Sequence, residues 1–137
     1  MSLELHLRIA GALLLFLAAL HPLMPKELGW KEDLLKLTPV NRQVFLVHTG
    51  FIVLTLVLMG TLMILYAEDL AAPSRLARAV LGGLAIFWAA RLFTQQFIYD
   101  RSLWRGNPRY TAVHVVFTLL WTYLTAVFGW GWWGHRL

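Results

Sequence analysis

Two histidines and one arginine stand where a membrane protein rarely tolerates them. His48 and His114 lie about two turns inside apolar stretches of membrane length, where an ionisable side chain is costly and marks a functional site by default. They are related: the run Asn41, Val47, His48, Phe51, Leu54, Leu58 recurs 66 residues on as Asn107, Val113, His114, Phe117, Leu120, Leu124. In so apolar a chain the Leu and Val matches mean little, but the Asn, His and Phe matches do not come cheaply. Two imidazoles at one depth on facing helices suit axial ligation of a b-type haem inside a helical bundle. Arg91 is the third such residue. A guanidinium cannot discharge, so a buried one needs an anion or a dense set of acceptors. No acid lies inside any apolar stretch, since Glu4, Glu27, Glu32, Asp33, Glu68, Asp69 and Asp100 all fall at ends or in loops. A haem propionate would answer Arg91, with Gln95 and Tyr99 adding hydrogen bonds. The structural alternative is that Arg91 snorkels or pairs with Asp100 or Asp33.

The same residues allow other chemistry. His21, His48 and His114 together would supply three imidazoles and an open position, a metal-enzyme arrangement for zinc, copper or iron. Only Glu27 or Asp100, from the rim, could then act as a general base. A quinone or lipid could place its head group on Arg91, take hydrogen bonds from His and Gln, and lie against Trp88, Phe51 and Phe117. The chain could equally be a structural subunit of a larger membrane complex, its polar residues joining helices. Small residues that would admit a macrocycle are few near the histidines: Gly50, and Ala112. There is no phosphate-binding glycine loop, no H-E-x-x-H and no triad in plausible register, and no catalytic residue is assigned. His6 and His135 read as interfacial, and Asn41 and Asn107 as helix N-caps.

These residues need helices to hold them. Hydrophobic content of 59% against 14% charged residues excludes a soluble globular mixture and predicts a lipid-bilayer protein. With no cysteine, disulfides and thiolate sites are excluded. The net charge of +5 is scattered between apolar runs rather than forming a basic face, which argues against nucleic acid as a partner. The apolar runs predict an all-α, integral membrane four-helix bundle with helices at about 3–21, 43–67, 75–99 and 110–130, up-down-up-down, in one domain spanning 1–137. Leu17–His21 lacks an A-x-A cleavage pattern, so the first helix is expected to be retained rather than cleaved as a signal, and to end at Pro22 and Pro25. Lys26–Thr38 reads as a short interfacial helix stopped before Pro39.

Gly11, Leu13, Phe16, Ala18 and Ala19 also match Gly82, Leu84, Phe87, Ala89 and Ala90, and Trp30 and Trp104 take similar places in the following loops. Two repeated helical hairpins are therefore expected. Trp88, Arg91, Gln95 and Tyr99 share a stripe on helix three; His48, Phe51, Thr55 and Leu58 share one on helix two; His114, Phe117, Trp121 and Leu124 share one on helix four. Each stripe is expected to face the bundle interior. Lys26, Lys31, Lys36, Arg42, Arg101, Arg105 and Arg109 outnumber Arg8, Arg75, Arg78 and Arg136. The positive-inside rule then puts loops one and three in the cytoplasm and both termini outside, in a bacterial-type inner membrane. A homo-oligomer or larger membrane complex is the expected protein partner.

Overall fold

In the computed structural model residues 2–135 are described; Met1 and Arg136, the latter counted above with the terminal charges, lie outside them. The described residues form helices and turns without a strand: α1 (Leu3–Leu20), α2 (Met24–Glu27), α3 (Trp30–Leu35), α4 (Pro39–Leu65), α5 (Ala67–Ala71), α6 (Arg75–Phe93) and α7 (Pro108–Gly134). Among the described residues four stretches are long and apolar enough to cross a membrane: Leu3–Glu27, Pro39–Leu65, Arg75–Ile98 and Pro108–Gly134. Contacts group the chain into two compact units. One is Arg8–Ala67; the other joins the residues through Leu7 to the chain from Glu68 onward.

In the Arg8–Ala67 unit α1 ends at Leu20, just ahead of Pro22 as expected, but helical turns carry the span on to Glu27. Pro22 and Pro25 occupy the opening positions of a 3₁₀ turn (His21–Leu23) and of α2, where a missing N–H costs nothing. The break comes instead at Gly29, whose φ of 66° separates α2 from α3. Pro39 likewise opens α4, and Thr38 rather than Asn41 is its cap, accepting from the Asn41 N–H at 3.4 Å. Asn41 thus sits in the first helical turn. The two long helices run antiparallel, for Arg8 donates to the Ile64 carbonyl at 3.2 Å while Gly11 meets Gly60. A Cβ on Gly11 would stand 2.7 Å from the Gly60 carbonyl oxygen, and one on Gly60 would stand 2.9 Å from that of Gly11. Lipid gives no hydrophobic drive between helices, so such small residues supply association by letting backbones touch. That contact makes Leu56, Gly60 and Met63 the buried face of α4.

In the second unit α6 and α7 pack antiparallel along their length. Leu81 lies against Gly131 at one end, Trp88 stacks on Trp121 with centroids 5.0 Å apart, and Gln95 reaches His114 at the other. Asn107 caps α7 as expected, accepting from the N–H groups of Arg109 and Tyr110 at 3.1 and 3.4 Å. Gly82 admits the Trp132 ring, which would lie 2.8 Å from an added Cβ, whereas Gly83 has open space around it. The two histidines expected at the interface are engaged in the fold. Nδ1 of His6 lies 2.9 Å from the Tyr123 hydroxyl, and His135 is buried, its Nε2–H donating to the Ala71 carbonyl at 3.1 Å.

Candidate ligand site

The site is built where α6 stops being an α-helix. After Phe93 the chain makes a π turn, Thr94–Ile98, closed by the Tyr99 N–H donating to the Thr94 carbonyl at 3.2 Å. In an α-helix consecutive side chains diverge by about 100° and cannot both face one neighbour. The wider turn reduces that divergence, and both glutamines reach α7. The Gln95 amide is 2.9 Å from Nδ1 of His114, and Gln96 Nε2 donates to the Thr118 hydroxyl at 2.7 Å. Single π turns of this kind recur at functional sites.

Trp104 closes over the histidine. Its ring stacks on the His114 imidazole with centroids 3.9 Å apart and planes at 10°, and the Thr111 hydroxyl donates to the Trp104 carbonyl at 2.7 Å. Asp100 shapes the same connection by accepting from the Ser102 N–H at 2.8 Å. That hydrogen bond holds the exposed Asp100 carboxyl below the usual carboxylate range.

One turn deeper lies an aromatic layer. Trp121 is flanked by Trp88 and by Phe117, the latter with centroids 5.4 Å away and planes at 9°. The Arg91 guanidinium carbon is 5.1 Å from the Trp121 ring centroid and 5.6 Å from that of Tyr99. Asp100 does not answer it: among the described residues of its own unit no carboxylate lies within ion-pairing distance of Arg91. Cation–π contacts take the place of a salt bridge. They leave hydrogen bonds unmade. Arg91 Nη1, Trp88 Nε1 and Trp121 Nε1 are all buried donors with no acceptor.

Arg91, Gln95, Tyr99 and His114 are thus brought together within one unit, as the stripes on helices three and four imply. Trp121 and Leu124, on the His114 stripe, are buried. The stripe on α4 behaves differently. Phe51 and Leu58 are exposed and so is His48, because the glycine contact turns another face inward. His48 and His21 belong to the Arg8–Ala67 unit. Each is satisfied on its own helix, the Nδ1–H of His48 donating to the Val44 carbonyl at 2.7 Å and that of His21 to the Leu17 carbonyl at 2.8 Å. Among the described residues no group of three His, Asp or Glu side chains is placed to hold a metal ion.

Sequence reasoning missed the π turn, which no residue type announces, and the closing role of Trp104. It also missed the unpaired indole N–H groups; Trp88 and Trp121 were visible as members of polar stripes, but an orphaned donor is defined only by what surrounds it. Compared with known protein families, curated proteins and solved structures, the chain matches none.

Proposed function

We propose that this protein binds, on its α6–α7 hairpin, an amphipathic membrane molecule whose head group presents oxygen acceptors, a quinone carbonyl or a lipid phosphate or carboxylate. One observation supports this reading above the others: three buried donors, Arg91 Nη1, Trp88 Nε1 and Trp121 Nε1, share one aromatic layer and have no acceptor. A buried donor left unmade costs about 1–3 kcal/mol, and more when charged, so a cluster of three calls for a partner. All three groups only donate, which selects an acceptor-only head group. Gln95, His114 and Tyr99 would flank it and Phe117 would wall the tail. The proposal takes the four spans as an up-down-up-down bundle of two repeated hairpins, with loops one and three cytoplasmic.

The test is titration of the detergent-purified protein with a short-chain benzoquinone and, separately, with phosphatidylglycerol, followed by tryptophan emission. Saturable quenching by one probe identifies the head group. Hydrogen bonds to a charged partner are worth about 1.5–3 kcal/mol, so Arg91→Gln should weaken that binding by roughly tenfold or more. Unchanged affinity for both probes in Arg91→Gln refutes the proposal.

A second reading, haem held by His48 and His114 with Arg91 on a propionate, draws on one feature. Histidine ligands are oriented by a hydrogen bond from the other ring nitrogen. His48 has such a bond to Val44, leaving Nε2 with its lone pair. His114 acquires the same state if the Gln95 amide is turned so that its oxygen accepts from Nδ1–H, an orientation its 2.9 Å contact equally permits. An absorption spectrum decides: a Soret band with α and β bands sharpening on dithionite reduction favours haem, and a colourless protein removes it.

A further inference from the structure

We infer a second ligand site, in the Arg8–Ala67 unit, that holds one acyl chain of an anionic phospholipid with its head group on Lys31. The unit contains an open cavity of about 310 Å³ formed by His21, Trp30, Lys31, Leu34, Gly50 and Val53 with their neighbours. Its volume lies at the lower end of the range for small-molecule sites.

The wall is overwhelmingly apolar, and two of its few polar groups are engaged on their own helices. The Thr49 hydroxyl donates to the Phe45 carbonyl at 2.9 Å, and the His21 Nδ1–H donates to Leu17. The interior is therefore suited to hydrocarbon, with the Trp30 ring fixed edge-on against Phe45 at 4.9 Å. Lys31 is the single charged residue lining the cavity, and among the described residues it has no ion pair, whereas its neighbour Lys36 is bound to Asp33 at 2.8 Å. Location fits the same occupant. The cavity opens where the spans Leu3–Glu27 and Pro39–Leu65 end, at α2 and α3, so Lys31 stands at head-group level. A phospholipid with a phosphate and a net negative charge satisfies the lip and the interior at once.

Gly50 makes the idea testable. A Cβ there meets nothing within 4 Å, so a larger side chain enters open space rather than the packed fold. The experiment is native mass spectrometry of the full-length protein in detergent, incubated with phosphatidylglycerol or with phosphatidylcholine. It is run in both the wild-type and the Arg91→Gln backgrounds, so that lipid held at Arg91 is not counted. One phosphatidylglycerol should survive collisional activation that strips phosphatidylcholine, in both backgrounds. Gly50→Leu should abolish that retention. A lysine near an anionic lipid contributes enough that Lys31→Gln should lower the preference for phosphatidylglycerol by about fivefold. Equal retention of the two lipids by the wild-type chain overturns the proposal, as does undiminished retention in Gly50→Leu. Should Gly50→Leu not fold, an unaltered preference in the surface variant Lys31→Gln overturns it alone. Co-purification of a different organic molecule, lost in Gly50→Leu, also rejects a phospholipid occupant.

Discussion

Replacing Gln95 by Leu tests whether the π turn exists to bring a buried amide to His114. Gln95 is 6% exposed and its amide lies 2.9 Å from Nδ1 of a half-buried imidazole. Gln95→Leu removes that partner without opening a large cavity and strands Nδ1, which should cost about 1–3 kcal/mol. His114→Phe keeps a flat ring under Trp104 and strands the Gln95 amide instead, at a similar cost. If the two side chains matter to stability chiefly through each other, the double variant loses less than both single changes together. Measured couplings between membrane helices average about 0.6 kcal/mol and reach about 1.7, which sets the expected size. The assay is a double-mutant cycle read by reversible unfolding in mixed detergent micelles, following helix content. Tyr123→Phe is the control. It lies nine residues beyond His114, about 13 Å at helical rise, and should add to Gln95→Leu within about 0.5 kcal/mol. A Gln95–His114 coupling no larger than that control would refute the contact as a stabilising element and leave the π turn without a purpose.

The glycines make a second test within the same chain. Gly11→Ala drives a Cβ against the Gly60 carbonyl oxygen and should cost about 1–3 kcal/mol, whereas Gly83→Ala has space and should be neutral or slightly stabilising. Equal effects in the same unfolding assay would disprove the close α1–α4 contact. Asp100 gives a pH signature. Its carboxyl is held below its ordinary value by the Ser102 N–H, so its contribution is fully present above the unfolded carboxylate pKa and fades as pH falls through the lowered one. The carboxyl-carbon NMR titration should have its midpoint below that of an unperturbed aspartate, and Asp100→Asn should remove the step. A midpoint at or above the ordinary value contradicts the turn.

The spans were legible because lipid leaves one solution to the backbone. A run of apolar residues long enough to cross must be helical, and threonines inside it donate to the carbonyl one turn back on the same helix, as Thr49, Thr55 and Thr125 do. Helix ends were less legible, because the sequence signals there conflict. Pro22, Pro25 and Pro39 read as stops, yet each occupies the opening of a helical turn, a position where proline is equally at home. Trp121 and Leu124 of the α7 stripe are buried, whereas His48, Phe51 and Leu58 of the α4 stripe are exposed. Polarity is a sound guide when a side chain needs a partner on another helix, as Gln95 and His114 do. It fails for His48, whose need is met by Val44 on its own helix, so that Gly60 decides which face is buried.

If the chain is read as the proposed pair of hairpins, its ligand chemistry divides between them. At the offset of 66 residues Phe45 corresponds to Thr111, and in each unit that position holds the loop tryptophan: Phe45 packs on Trp30 and Thr111 bonds to Trp104. At the offset of 71 residues, however, Trp88, Arg91, Gln95 and Tyr99 correspond to Leu17, Leu20, Met24 and Leu28, and at the offset of 66 Trp121 corresponds to Thr55. The donors of the aromatic layer and the amide bound to His114 therefore have no counterparts in the first hairpin. In their place that hairpin has hydrocarbon, a cavity and, lining that cavity, Lys31 with no ion pair among the described residues. Two copies of one scaffold would then have parted by solvent preference, the second toward a polar head group and the first toward an acyl chain. Grafting Arg, Gln and Trp onto positions 20, 24 and 55 would not transfer head-group binding by itself, because among the described residues the π turn that aims the glutamine belongs to Thr94–Ile98 alone. A quinone or lipid titration of that triple variant in the Arg91→Gln background should show no recovered binding; recovery would mean that residue type, and not the local backbone, defines the site.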